Sequence, residues 1–180
     1  NVKKVGVFVN ESIEKVLQIA QQANLDYIQL HGEEDVAYCA RIQEKFPVIK
    51  VFRVANLLPD FAHFDTVSTY YLFDTDSALY GGTGQHFNWE LIKKTNFNKP
   101  FFLSGGIGIN DVQGIQVLQA TTAGKDLAAL DLNSKFEIHP GNKNIELIKT
   151  VPIPPILKNL ENEAVLIEFR SLPHIEFIIR

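Results

Sequence analysis

The chain has 180 residues, of which 46% are hydrophobic and 21% are charged, which is the composition of one globular domain with one sizeable core. Its net charge of -4 and its pI near 5.7 provide no basic surface for a phosphate backbone, so a nucleic-acid partner is excluded. The sequence shows no apolar signal stretch and no long apolar run, and its single cysteine, Cys39, has no second cysteine to pair with. We therefore expect a cytoplasmic protein without membrane contact.

Short apolar segments alternate with amphipathic segments along most of the chain. The helical segments show the spacing of three and four residues typical of one buried helix face, as in Ile13, Val16 and Leu17. Apolar strands that alternate with helices pair in parallel, because the helices cover both faces of the sheet. The pattern therefore predicts an α/β fold. The predicted strands are Val2–Val9, Tyr27–Leu30, Val48–Val54, Tyr70–Phe73, Pro100–Leu103 and Leu127–Leu132.

The number and spacing of these units favour an incomplete (β/α)₈ TIM barrel over residues 1–150. At roughly 25 residues per unit, eight units would need about 200 residues, the compact end of the range for such barrels. An open doubly wound sheet is the alternative, but it usually concentrates its polar residues at one switch point. Here polar residues or glycines follow nearly every strand, as they do at the mouth of a barrel.

Residues 151–180 depart from this pattern and form a Pro-containing tail. Its apolar runs AVLIEF and IEFIIR have no helix between them. The tail is either a disordered extension or a pair of strands that patches the incomplete barrel. We favour the extension, because exposed apolar strands with unpaired edges tend to aggregate.

Asp74 is the candidate general acid, because it follows the apolar strand that ends at Phe73 and barrel enzymes place catalytic groups at strand carboxyl ends. Desolvation at an apolar mouth disfavours the charged form of a carboxylate, which suits a proton donor. The loop after Asp74 contains Gly82 and Gly84, whose backbone freedom would allow it to open or close over a ligand. It lacks the Gly-Lys-Ser/Thr of a nucleotide triphosphate loop.

Two further loops predict a phosphate site at the ends of the last two strands. Gly105 and Gly106 follow one strand, and Asn133 and Ser134 follow the next. Backbone without side chains approaches an anion closely, and barrels often bind phosphate in the loops after their last two strands.

The other polar candidates have structural alternatives. His31, next to Gln29, would point into the same mouth, although a structural histidine is also consistent with the sequence. Arg53 either pairs with a substrate anion or faces solvent, and we favour the site. Cys39 lies among apolar helix residues and is predicted to be a small core residue. The histidines show no metal-ligand spacing.

In chain order, the segments QLHGEE, GGTG-x-x-F-x-W, SGGI and D-x-NS-x-FE resemble the phosphoribosylanthranilate isomerase family of tryptophan biosynthesis. The resemblance runs from Val2 to Ile148. It implies a TIM barrel, a small phosphosugar substrate, no cofactor, and neighbouring tryptophan-pathway enzymes as partners.

The resemblance also implies an Amadori rearrangement of N-(5-phosphoribosyl)anthranilate. Asp74 matches the general acid, His31 and Arg53 match positions that line the substrate site, and Gly105, Gly106, Asn133 and Ser134 match the phosphate loops. Lys135 stands where many relatives have glycine. The family's base is a cysteine in a Lys-Ile-Cys-Gly motif on the first strand, and that motif is not in these 180 residues.

We therefore expect the sequence, which begins at Asn1 and contains no Met, to start at the family's third strand inside a longer reading frame, and the chain alone to lack isomerase activity. One alternative is a non-catalytic remnant that binds a phosphorylated ligand. Another is a metal-dependent phosphosugar epimerase, against which the lack of clustered His and Asp argues.

Overall fold

The computed structural model describes residues 3–76, 86–151, 166–172 and 175–179. The helices and strands follow one another in the alternation that the hydrophobic pattern predicts. The strands are β1 (Lys4–Phe8), β2 (Tyr27–Leu30), β3 (Val48–Val54), β4 (Tyr70–Thr75), β5 (Phe101–Leu103), β6 (Leu127–Leu132), β7 (Glu137–His139), β8 (Asn142–Lys143), β9 (Leu166–Leu172) and β10 (Ile175–Ile179). The helices are α1 (Ile13–Ala23), α2 (Val36–Gln43), α3 (Glu90–Lys93), α4 (Val112–Gln119) and α5 (Ile145–Ile148).

Strands β1 to β6 pair in parallel with their neighbours in sequence order and form a curled sheet. The α/β class and the six parallel strands of an incomplete (β/α)₈ barrel are confirmed. Their apolar runs are nearly continuous because each strand is covered on both faces. The short strands β7 and β8 form a separate antiparallel pair.

The two tail strands close the curled sheet into a barrel. Strand β9 pairs in parallel with β6, β10 pairs antiparallel with β9, and β10 also pairs antiparallel with β1. This differs from the extension that we favoured from the sequence. The physical reason is that a six-stranded curled sheet leaves rows of unpaired backbone groups on β1 and β6, which a hairpin can satisfy. The division into two domains at residue 150 remains a prediction.

The buried apolar side chains form an inner layer and an outer layer. The inner cluster contains strand residues at alternating positions, such as Val5 with Val7 and Ile49 with Val51, and includes no helix residue. Two outer clusters join the opposite strand face to the helices. Alternation along each strand therefore decides which side chains point into the barrel.

A buried ion pair lies beneath the loop between β2 and α2. Lys50 Nζ is 2.9 Å from Glu34 Oε2, and the two side chains are only 4% and 1% exposed. Lys50 also donates to the Gly32 carbonyl, and Glu34 accepts hydrogen bonds from the backbone N–H groups of Gly32 and Asn10. The pair therefore holds this loop to β3, and through Asn10 to the loop that follows β1.

No helix among the described residues has both the length and the apolar character needed to cross a membrane.

Candidate active site

A cavity of about 190 Å³ opens where the parallel strands end. Its walls come from the carboxyl ends of β2, β4, β5 and β6 and from the loops that follow them. Most of the predicted site residues therefore meet in one place, including the candidate acid and both candidate phosphate loops. The lining residues are Gln29, His31, Asp74, Ser104, Gly105, Gly106, Ile107, Asp131, Asn133, Ser134 and Lys135.

Asp74 is held by contacts on both of its carboxylate oxygens. Oδ1 accepts a hydrogen bond of 2.8 Å from the backbone N–H of Thr75, and Oδ2 lies 3.2 Å from His31 Nε2. Gln29 Nε2 lies 3.3 Å from His31 Nδ1. With Gln29 as donor to Nδ1, the ring proton of His31 lies on Nε2 and points at Asp74. Gln29 and His31 thus orient the candidate acid.

Asp131 is a second carboxyl group in the same cavity. Its Oδ2 accepts a hydrogen bond of 2.7 Å from Ser104 Oγ, while its buried Oδ1 has no hydrogen-bond partner among the described residues. Burial raises the pKa of the Asp131 carboxyl, Ser104 opposes this shift, and the nearby charge of Asp74 adds to it. Gln29 Oε1 is likewise buried and unpartnered within the described part of the chain. Buried polar atoms without a protein partner at the wall of a cavity are able to accept hydrogen bonds from a ligand.

The loop after β5 uses glycine where the backbone requires it. Gly105 and Gly106 have φ angles of 98° and 72°, which residues with a side chain rarely adopt. A Cβ atom at Gly105 would also overlap Thr75 Oγ1, whereas one at Gly106 would meet only the end of Lys135. The loop therefore packs closely on β4 and exposes main chain at Gly106, which is the arrangement expected of an anion cradle.

A buried lysine, Lys143, holds the loop after β6 in place. Lys143 Nζ lies 2.9 Å from Asn133 Oδ1 and 2.9 Å from Glu137 Oε1. The Lys143 and Glu137 side chains are 3% and 13% exposed. The contact through the amide oxygen orients the Asn133 side chain, and Asn133 and Ser134 both line the cavity.

Arg53 lies outside this cavity, although we grouped it with the site. It lines a neighbouring, more open cavity of about 610 Å³ that shares His31 with the first. Its Nη2 donates a hydrogen bond of 3.0 Å to the His31 carbonyl oxygen, and its Nη1 lies 3.5 Å from Glu33 Oε1. The structure thus makes Arg53 a neighbour of His31, and substrate contact by Arg53 stays a prediction. Gly82 and Gly84 lie outside the described residues.

Cys39 is remote from this chemistry. It is fully buried in the outer core with α1 and β2 residues, and its Sγ contacts the Glu34 carbonyl oxygen. Burial raises the pKa of the Cys39 thiol to about 12, so the thiolate that proton abstraction requires does not form at neutral pH. The prediction of a small core residue is confirmed.

Asp131 and Lys135 were not assigned to the site from the sequence. A signal for Asp131 was present, since a lone carboxylate in the otherwise apolar strand LAALDL must either be paired or belong to a site. For Lys135 the signal was its place next to Ser134, where many relatives have glycine, but it was not assigned because a lysine in a polar loop is usually solvated. Within the described residues, no group of three or more His, Cys, Asp or Glu side chains could hold a metal ion.

The parallel curled sheet and the polar cavity at its carboxyl edge define a β/α-barrel enzyme class. The family model of N-(5'-phosphoribosyl)anthranilate (PRA) isomerase matches residues 1–152. The chain belongs to this family, whose members are isomerases that catalyse an Amadori rearrangement in tryptophan biosynthesis.

Individual relatives agree with this assignment. The chain is 39% identical to an N-(5'-phosphoribosyl)anthranilate isomerase of Parabacteroides distasonis over 82% of its own length and 66% of the relative's. It also resembles the crystal structure of the Thermotoga maritima enzyme, with a TM-score of 0.62, 34% identity, and coverage of 81% of this chain and 68% of that one. The chain thus spans about two thirds of the length of these relatives.

A third likeness is to a phosphoribosyl anthranilate isomerase solved in complex with reduced 1-(o-carboxyphenylamino)-1-deoxyribulose 5-phosphate. Its TM-score is 0.54 and its identity 30%, with coverage of 84% of this chain and 70% of that chain.

Proposed function

We propose that this chain carries the proton-donating and phosphate-binding parts of a phosphoribosylanthranilate isomerase site. The observation that supports the proposal best is that Asp74 lines the same cavity as Gly105, Gly106 and Ser134. A carboxylate and an anion cradle within one cavity match a substrate with a sugar ring at one end and a phosphate at the other.

In the proposed reaction, Asp74 donates its proton to the ring oxygen of the ribose. The C1–O bond breaks, and the lone pair of the anthranilate nitrogen forms a C=N bond to C1. Removal of the proton from C2 then converts this Schiff base into an enamine, which tautomerises to the ketose. His31 orients Asp74 for the first step, at 3.2 Å from its Oδ2.

The second step needs a base, which in the family's motif is a cysteine. The described residues that line the cavity include no cysteine, and the motif Lys-Ile-Cys-Gly does not occur in the 180 residues. We therefore propose that the 180-residue chain binds the substrate without turning it over. The same observation favours the second candidate function, a remnant that binds a phosphorylated ligand. Reading the nucleotide sequence upstream of Asn1 for the motif distinguishes the two.

The test is calorimetric titration of the 180-residue chain with reduced 1-(o-carboxyphenylamino)-1-deoxyribulose 5-phosphate, together with a fluorescence assay of N-(5-phosphoribosyl)anthranilate turnover. We expect saturable binding of the analogue and no turnover. Absence of binding by a folded chain would overturn the proposal. Turnover that Asp74→Asn abolishes would retain Asp74 as the acid and reveal another base.

We also propose that the protein acts in the cytoplasm, beside neighbouring enzymes of tryptophan biosynthesis. The single buried thiol of Cys39 supports a reducing compartment. Localisation of a fluorescent fusion of the chain tests the first part, and co-purification with the enzymes that make or consume its substrate and product tests the second.

A further inference from the structure

Lys135 occupies a position in the cavity that its sequence context did not predict. It lies in the short 3-10 turn Ser134–Phe136 after β6 and lines the same cavity as Gly105 and Gly106. Its Nζ lies 3.9 Å from the place that a Cβ atom at Gly106 would occupy. The lysine of one loop therefore reaches over the exposed main chain of the other.

The stem of Lys135 lies across Gly108. A Cβ atom at Gly108 would lie only 2.7 Å from Lys135 Cδ. The backbone at Gly108 has φ -140° and ψ -178°, which is extended and open to any residue. The backbone at Gly108 would thus admit a side chain, but that side chain would displace the stem of Lys135.

Among the described residues that line the cavity, Lys135 is the only lysine or arginine. Asp74 and Asp131 place carboxyl groups in the same cavity. A phosphate dianion is attracted by the ammonium group and gains no such attraction from the carboxyl groups, so the charges favour one orientation for a ligand that carries phosphate at one end.

We infer that Lys135 is a phosphate-binding residue that sets the orientation of the ligand. Its stem passes over Gly108, where no side chain blocks it, and its ammonium group lies over the Gly106 main chain. This inference rests on the proposed function. The ammonium group adds a charge-assisted hydrogen bond to the contacts that the glycine loop makes through its backbone. The sugar ring is thereby directed towards Asp74.

The test compares Lys135→Gln with the unchanged chain by calorimetric titration of reduced 1-(o-carboxyphenylamino)-1-deoxyribulose 5-phosphate and of the same compound without its phosphate. We expect Lys135→Gln to weaken binding of the phosphorylated compound about tenfold, the typical contribution of one charged hydrogen bond. The difference should shrink as salt is added. Binding of the compound without phosphate should be unchanged.

Two further variants separate the role of the charge from effects on folding. Lys125→Gln removes an exposed lysine from the turn Ala123–Asp126 before β6, at the other end of that strand, and should leave binding unchanged. Gly108→Ala keeps the charge but displaces the lysine stem, and should weaken binding of the phosphorylated compound by a smaller factor. Circular dichroism checks that each variant folds.

The outcomes distinguish this inference from the proposed function. If the chain binds the phosphorylated compound and Lys135→Gln binds it equally well, the inference is wrong and the proposed function stands. An equal loss for both compounds would also overturn the inference, because Lys135 would then not act on the phosphate. If the folded chain binds neither compound, the proposed function fails and the inference fails with it.

Discussion

Two polar networks lie near the carboxyl end of β2, an outer one that contains Glu34 and an inner one that contains Gln29. They differ in how many of their buried polar atoms have hydrogen-bond partners. In the outer network, Glu34 and Lys50 satisfy each other and the backbone of the loop around them. In the inner network, Gln29 Oε1 and Asp131 Oδ1 are buried without partners among the described residues. A fully paired buried network fixes a loop, whereas an incompletely paired one leaves atoms for a ligand.

Burial alone does not distinguish the two networks. Lys50 and Gln29 are each only 3% exposed. The networks differ in whether replacing Lys50 or Gln29 would leave a buried charge without its partner. Variants of the two networks should therefore affect stability very differently.

The largest effect is expected for Lys50→Met. The carboxylate of Glu34 would stay buried without its counter-charge, and breaking a buried ion pair in this way costs about 3–5 kcal/mol in the free energy of unfolding. Urea unfolding measures the change. Lys149→Met, which removes an exposed pair with Glu146, is the control and should change stability by less than about 0.5 kcal/mol. A loss below about 1 kcal/mol for Lys50→Met would show that the outer network does not hold the loop.

A smaller effect of opposite sign is expected for Asp131→Asn. Because burial raises the pKa of this carboxyl in the folded state above its ordinary value of 3.8, the folded chain binds more protons than the unfolded chain as pH rises above that value. The contribution of Asp131 to stability is therefore greatest below pH 3.8 and is lost as pH rises through the folded pKa. The asparagine variant should be more stable at pH 7, by about 1 kcal/mol, since it buries no charge.

Urea unfolding of both proteins between about pH 4 and pH 8 checks this prediction. The advantage of the asparagine variant should shrink towards the acid end of the range. Asp60→Asn, at an exposed carboxylate, is the control and should show no such trend. An advantage that grew as the pH fell would contradict the assigned direction of the Asp131 pKa shift.

The smallest effect on stability is expected for Gln29→Leu. The substitution loses the contact of 3.3 Å with His31 but also removes a buried unpaired oxygen, and these contributions nearly cancel. Urea unfolding should therefore change by less than about 0.5 kcal/mol. Binding of reduced 1-(o-carboxyphenylamino)-1-deoxyribulose 5-phosphate should weaken, because the His31 ring loses the side chain that orients it. A loss of stability comparable to that of Lys50→Met would end the distinction between the two networks.

Local pattern predicted most of the strands well. The predicted and observed bounds agree for Tyr27–Leu30, Val48–Val54 and Leu127–Leu132, where a polar residue stands one or two positions after the last strand residue. The strand predicted to end at Phe73 continues to Thr75, because Arg53 and Asp74 pair across β3 and β4 and extend the ladder. A polar residue ended the apolar pattern there without ending the backbone pairing.

The prediction failed or was incomplete where the outcome depends on partners distant in sequence. The tail runs contain strand-forming residues, but their pairing with β1 and β6 depends on edges that exist only after the sheet has curled. His31, which follows β2, and Arg53, which lies within β3, were both assigned to the substrate site. The structure places Arg53 in the neighbouring cavity, where its guanidinium contacts the His31 carbonyl oxygen and Glu33, and its contact with substrate stays a prediction.

Hydrophobic periodicity and loop composition are local properties, so the order of residues was enough to predict the α/β alternation, the parallel strands, and the carboxylate and glycine loops of the family. The pairing of polar atoms, the meeting of Asp131 with Asp74 in one cavity and the position of Lys135 over Gly106 depend on the folded arrangement. The physical reason is that strand ends separated by dozens of residues converge only when the sheet curls, and the alternation along each strand then selects which side chains face inward.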